Sequence, residues 1–152
     1  MYSIIRVLER YVDVPIVLPA VPRALFDAAN SSVHLGSPAP QGLLAWRWKD
    51  GRRLLATYGT ASLFNCGGGP PREVKIGKQA GLAVTSDRRS KVIWPAEPRF
   101  PNASYGLSGT WPLKRLLAWG AGMQQTITEK LKEAPLSGCA SRNGALGDHD
   151  YI

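Results

Sequence analysis

The chain of 152 residues lacks any apolar run near the roughly 20 residues that a membrane-spanning helix requires. Histidine is scarce, with only His34 and His149, and so is cysteine, with only Cys66 and Cys139. No CxxC pair and no Cys/His grouping at zinc-ligand spacing occurs, so a structural zinc site is not expected. Gly-x-Ser-x-Gly is missing, and with it the nucleophile elbow of serine hydrolases. The Gly67–Gly69 run has neither the Gly-Lys-Ser/Thr ending nor the following helix of a phosphate loop, and reads as a turn. No Ser/His/Asp or Cys/His set comes together, and no carboxylates pair in a way that suggests acid/base work. These absences point to a protein without enzymatic activity, metal or cofactor.

Two further absences bear on location and redox state. Met1-Tyr-Ser-Ile-Ile-Arg has no basic region followed by an apolar core and a cleavage site, so it is not a secretory signal. If Met1 is the true start the protein is cytoplasmic; if an export segment precedes it, the protein is extracytoplasmic. Cys66 and Cys139 are read as free thiols, with a disulfide between them as the alternative.

What is present is an ordinary globular composition, 44% apolar and 20% charged, at the length of one domain. Ser3 to Tyr11 carries Ile4, Val7, Leu8 and Tyr11 at helical spacing. Pro15, Pro19 and Pro22 then forbid helix, and Val14 to Pro19 reads as extended chain of the kind tolerated at a sheet edge. Arg23 to Asn30 suits a helical turn, and Ser31 to Gln41 a loop.

The clearest local signal is Lys49-Asp50-Gly51-Arg52 between the apolar runs Leu43–Trp48 and Arg53–Tyr58. Asp-Gly in that setting predicts a hairpin with positive φ at both residues, and Thr60 to Phe64 would extend its second strand. Further strands are expected over Arg72–Ile76, Leu82–Thr85, Lys91–Trp94 and Ala103–Ser108. Thr110 is placed to cap a long helix, with Pro112 in its first turn and Leu113, Leu116, Leu117, Gly120, Gln124, Ile127 and Leu131 along one face. Gly120 and Gln124 interrupt that stripe, as a kink or as a close approach of the helix to the sheet. Pro135 ends it.

The expected fold is therefore α+β: an antiparallel meander of about five to six strands with a long C-terminal helix packed on one face. Residues 1–134 form a single domain and 135–152 a flexible tail. Trp46, Trp48 and Trp94 fall in phase with Leu44 and Val92, so core packing is their expected role, with base stacking as the alternative.

Several segments also carry a family pattern. Val14-Pro-Ile-Val-Leu-Pro19 opens it, Arg72-Glu-Val-Lys-Ile-Gly-Lys-Gln-Ala-Gly-Leu82 continues it, and Lys91-Val-Ile-Trp94 ends a strand. Ser104-Tyr-Gly-Leu-Ser-Gly109 and the leucine-rich Leu113–Met123 complete it. Across roughly Val12 to Met123 the chain resembles a bacterial domain of unknown function, family 4367, found beside anti-sigma factors and in envelope lipoproteins. The resemblance implies a non-enzymatic accessory or sensing domain of a cell-envelope system, extracytoplasmic, with Trp94, Tyr105 and Leu107 in its core and Gly109 as its strand-to-helix hinge. It implies no catalytic residue.

Nineteen basic residues face 11 acidic ones, a formal net charge of +8. Such an excess serves solubility, or an anionic partner. In a strict meander the Lys49–Arg52 and Gly77–Lys78 turns share one end of the sheet. The Cys66–Pro71 loop, the Asp87–Arg89 turn and the helix start share the other. That second end would gather Arg72, Arg88, Arg89, Lys91, Lys114 and Arg115 as a candidate anion-binding set beside the positive pole of the helix, with Asp87 and Glu73 as the only nearby opposing charges. The partner is then another protein or an anionic surface. A small basic module binding nucleic acid or another polyanion is the alternative function.

Overall fold

In the computed structural model, residues 2–12, 14–35, 40–59, 71–86, 88–95 and 103–133 are described. In chain order the elements are α1 (Tyr2–Tyr11), β1 (Ser32–His34), β2 (Gln41–Arg47), β3 (Arg53–Gly59), β4 (Arg72–Ile76), β5 (Gln79–Thr85), β6 (Ser90–Pro95), β7 (Ser104–Gly109) and α2 (Leu113–Glu133). Two short 3-10 turns, Arg23–Leu25 and Ala28–Asn30, precede β1. The seven strands form one open antiparallel sheet, and α2 packs across it, so the fold is α+β as the sequence implies. The strand beyond the expected five to six is β1, three residues long, in the stretch read as a loop.

Sheet order is β1-β2-β3-β7-β6-β5-β4. Every pair of strands adjacent in sequence is adjacent in space except β3 and β4. Instead β7 pairs on one side with β3, from Leu54↔Gly109 to Gly59↔Ser104, and on the other with β6, from Ser90↔Gly109 to Pro95↔Ser104. Antiparallel steps through β7, β6 and β5 leave β3 and β4 pointing the same way. β4 forms the edge of the sheet opposite β1, and residues 60–70, which join β3 to β4, lie outside the described residues. The two edges are guarded in different ways. β1 is very short, and β4 carries Arg72, Glu73 and Lys75.

Register decides which face is buried. Leu44, Ala56, Leu107, Val92 and Ala83 lie in one cross-strand row and are all buried. The next row places Tyr58, Tyr105 and Trp94 side by side, with Tyr105 stacked on Trp94 and edge-on to Tyr58. Helix α2 covers this face over β4 to β7, and α1 covers it over β1 and β2. Between them runs the proline-bracketed segment, extended as expected but not a strand of the sheet. Its Val14, Ile16 and Val17 are buried, as is Val12 just before it, and two tyrosine hydroxyls bind it down. Tyr58 donates to the Val17 carbonyl at 2.7 Å and Tyr105 to the Pro15 carbonyl at 2.8 Å. Proline suits such a strap, because it brings no N–H that a ladder would have to satisfy.

Local details correct three expectations. Helix α1 buries Leu8 and half-buries Ile4 and Ile5, leaving Val7 and Tyr11 exposed, because the chain runs straight on into the buried Val12. In the β2–β3 turn only Gly51 has positive φ (91°), and Trp48 N donates to Arg52 O. This is a three-residue loop closed by a glycine rather than a two-residue turn. Thr110 does not cap α2. The N–H groups of Arg115 and Leu116 reach the Pro112 carbonyl, while Thr110 Oγ1 accepts the Arg53 N–H at 2.9 Å.

The two weak points of the α2 stripe are where helix and sheet meet. A Cβ on Gly120 would come within 3.1 Å of Ile76 Cγ2 and 3.4 Å of the Trp94 ring. One turn on, Gln124 Oε1 accepts the Trp94 indole N–H at 2.8 Å, which satisfies a donor otherwise lost to burial. Leu116, Met123 and Ile127 supply the buried apolar contacts around them. Cys66, Cys139, the Gly67–Gly69 run, Thr60–Phe64, Asp87, His149 and the tail 135–152 lie outside the described residues.

Candidate anion-binding site

Placing β7 between β3 and β6 changes which turns are neighbours. Because Leu54 and Ser90 both pair with Gly109, the β2–β3 turn, the β5–β6 turn and the start of α2 all sit at one end of the sheet. The Lys49–Arg52 turn is thus not at the Gly77–Lys78 end, as a strict meander would have it. It brings Lys49, Arg52 and Arg53 to the end that already holds Arg88, Arg89, Lys91, Lys114 and Arg115. Asp50 is the carboxylate found in that turn, and it binds Arg52 Nε at 3.0 Å.

On the sheet face opposite the helices, two cross-strand rows meet this end. The outer row runs Arg53, Thr110, Arg89, Ser86, and the inner row Leu55, Ser108, Lys91, Val84. Together with Ser90 and Gly109 they line a cavity of about 210 Å³. Its floor is apolar, from Leu55 and Val84, and its walls are cationic and hydroxylic.

The backbone under the cations is held on both sides. Arg53 N donates to Thr110 Oγ1, Thr110 N donates to Arg53 O at 3.2 Å, and Ser86 N donates to Arg89 O at 2.8 Å. Gly109 permits the close seam, since a Cβ there would run into the Arg53 carbonyl. No carboxylate lines the cavity among the described residues, and none pairs there with Arg53, Arg89 or Lys91. Three like charges around one hollow repel one another, and an anion would relieve that repulsion.

Behind this cavity, on the helix side, lies a second cationic feature. Trp48, Trp111 and Trp119 form a half-buried cluster with ring centroids 4.7 to 6.0 Å apart. Arg52 lies 4.6 Å over the Trp111 ring, and Arg115 lies 5.9 Å from Trp111 and 5.6 Å from Trp119. Trp46 and Trp94 are core residues as expected, whereas Trp48 belongs to this rim.

The structure thus divides the six candidates read from the sequence. Arg89 and Lys91 line the cavity, and Arg115 joins the tryptophan rim. Arg88 and Lys114 are exposed at the same end without lining the cavity, and Arg72 is exposed at the β4 edge. Arg53 and Arg52 were not among the six. Alternation puts Arg53 on the face of Leu55, but only the strand order tells which end of the sheet that is.

Among the described residues no three His, Cys, Asp or Glu side chains gather as a metal site, and no helix is long and apolar enough to cross a membrane. Comparison of the chain with protein-family models, curated proteins and solved structures finds no match.

Proposed function

We propose that the chain is a binding domain that docks a polyanion against the basic end of its sheet. The observation that carries this reading is the convergence of three separate elements on that end. The β2–β3 turn, the β5–β6 turn and the first turn of α2 each contribute at least two cations, with Asp50 as the carboxylate among their described residues and Asp87 the other acidic residue of these turns in the sequence. Lys114 and Arg115 stand where the helix dipole favours anions, and the first turn of α2 has no acidic residue. Charge placed against local stability is better explained by a partner than by solubility.

A labelled single-stranded oligonucleotide or heparin tests the reading. Affinity should fall log-linearly with salt. Replacing Arg52, Arg89 and Arg115 with Ser should flatten the slope by roughly 0.7 to 0.9 for each phosphate no longer neutralised. Equal, salt-insensitive binding by the wild type and the triple variant would rule it out.

The resemblance to the envelope accessory family supports a second reading, of the same end as a dock for an acidic partner in a cell-envelope system. What favours it is the position of the pattern residues. Trp94 lies at the end of β6, Tyr105 and Leu107 are buried on β7, and Gly109 leads to α2. Cell fractionation decides here: recovery of the native protein in the cytoplasm would remove the envelope role and leave the polyanion reading standing.

A further inference from the structure

We infer that the cavity between β3, β7, β6 and β5 is a discrete site for the phosphoryl group of a phosphomonoester. This rests on the polyanion reading and deepens it. The general basic end attracts an anionic partner; the cavity would hold one group of it.

Size, charge and geometry lead to that chemistry. About 210 Å³ is below the roughly 300 Å³ at which drug-sized pockets begin, yet holds several water volumes of about 30 Å³ each. A phosphoryl group and the few atoms attached to it match that space. Its charge of about −1.5 to −2 at neutral pH answers the three cations among the described lining residues. A lone carboxylate is planar and can be fully satisfied by one arginine fork, so it gives no reason for cations on separate walls. A tetrahedral oxyanion presents oxygens in several directions, and the walls supply donors in several directions. Arg53 stands on one side of Thr110 and Arg89 on the other, in one cross-strand row. Lys91 and Ser108 are neighbours in the row behind. The apolar floor of Leu55 and Val84 keeps water from solvating the ion from below.

The arrangement is also fixed before any ligand arrives. Backbone bonds hold Arg53 to Thr110 and Arg89 to Ser86, so the side chains start from anchored backbone, Arg53 and Lys91 on strands and Arg89 in the turn one residue before β6. Arg52 and Arg115, by contrast, lie over tryptophan rings on the other side and belong to the rim.

Titration of the whole chain with inorganic phosphate, followed by amide chemical shifts and by tryptophan fluorescence, tests the site. The expected result is saturable binding, with the largest shifts at Arg53, Ser86 to Lys91 and Ser108 to Trp111. Sodium acetate at equal ionic strength should not reproduce them. Arg53→Gln and Lys91→Gln should each weaken phosphate at least tenfold, whereas Lys78→Gln, at the opposite end of the sheet, should leave it unchanged. A thermal melt within a few degrees of the wild type establishes that each variant is folded.

Glycerol phosphate and a nucleoside monophosphate, titrated in parallel, separate a lipid-headgroup source from a nucleotide source by which binds more tightly. Linear, unsaturated shifts, or variants that bind phosphate like the wild type, would overturn the site. Heparin binding reports separately on the broader reading. If it is retained and salt-dependent while phosphate fails to saturate, only the cavity inference falls. If heparin binding is absent as well, the polyanion function falls with it.

Discussion

Single residues in this protein are most informative where a polar group is buried. Tyr58 is fully buried and its hydroxyl is committed to the Val17 carbonyl. Burial pushes its phenol well above the usual tyrosine range, because ionisation would place a charge in the core. The sign follows from linkage. Below about pH 10, the ordinary tyrosine value, the phenol is neutral in both states and its contribution to stability is complete. Above that pH the unfolded chain releases the proton and the folded one does not. Stability then falls by about 1.4 kcal/mol per pH unit from this group alone. Tyr58→Phe should therefore cost about 1 kcal/mol near neutrality through removal of the hydrogen bond, and lose stability less steeply above pH 10 than the wild type. Urea unfolding at pH 7 and at several alkaline values measures both effects, and identical alkaline slopes in the two proteins would contradict the assignment.

At the scale of elements, α2 offers two glycines with opposite prospects. Gly122 is exposed with nothing within 4 Å of a would-be Cβ, so Gly122→Ala should stabilise by about 0.5 to 1 kcal/mol through helix propensity. Gly120 faces Ile76 and the Trp94 ring, and Gly120→Val should destabilise by about 1 to 3 kcal/mol through overpacking. Denaturant midpoints of the two variants should move in opposite directions.

The same helix shows what is legible in the sequence. Its extent and apolar stripe can be read from periodicity, and so can β4, β6 and the β2–β3 hairpin. That Gly120 and Gln124 interrupt the stripe is visible, but whether they mean a kink or a close approach is not. The answer depends on Ile76 and Trp94, which reach the helix only through the tertiary fold. β1 leaves little trace, since three residues with Val33 as their single apolar member carry no detectable period. The α1 face is misjudged by part of a turn because its orientation is set by Val12, outside the periodic segment. Arg89, Lys91 and Arg115 emerge as candidates from charge together with the alternation of strand direction. Arg53 escapes because its place depends on which strand lies beside β3.

For the whole molecule, the dominant fact is a net charge of +8 with cations concentrated at one end. Function and stability pull apart there, and one substitution separates them. Lys114 is exposed in the first turn of α2, where a carboxylate would suit the helix dipole and its cationic neighbours. Lys114→Glu should raise stability by about 0.3 to 1 kcal/mol while weakening polyanion binding. A melting temperature up by about 1 to 4 °C, together with a shallower salt dependence, is the expected outcome. A lower melting temperature with unchanged binding would show that the end is indifferent to charge.

The seam made by β7 has a consequence for how the chain is born. During synthesis, β1 to β3 can pair as soon as they emerge, and so can β4 to β6, since each group is a run of local hairpins. Neither group touches the other through the sheet until Ser104 to Gly109 arrives, when Leu54 and Ser90 both find Gly109. A ribosome stalled before β7 would hold two half-sheets, each with an open strand edge of the kind that recruits wrong partners. Closing that gap also completes the cavity, because β7 supplies Ser108 and Gly109 to its wall and leads directly into Thr110. A ligand in the cavity would thus act as a clasp on the last joint of the fold, favouring the finished protein over every shorter nascent form.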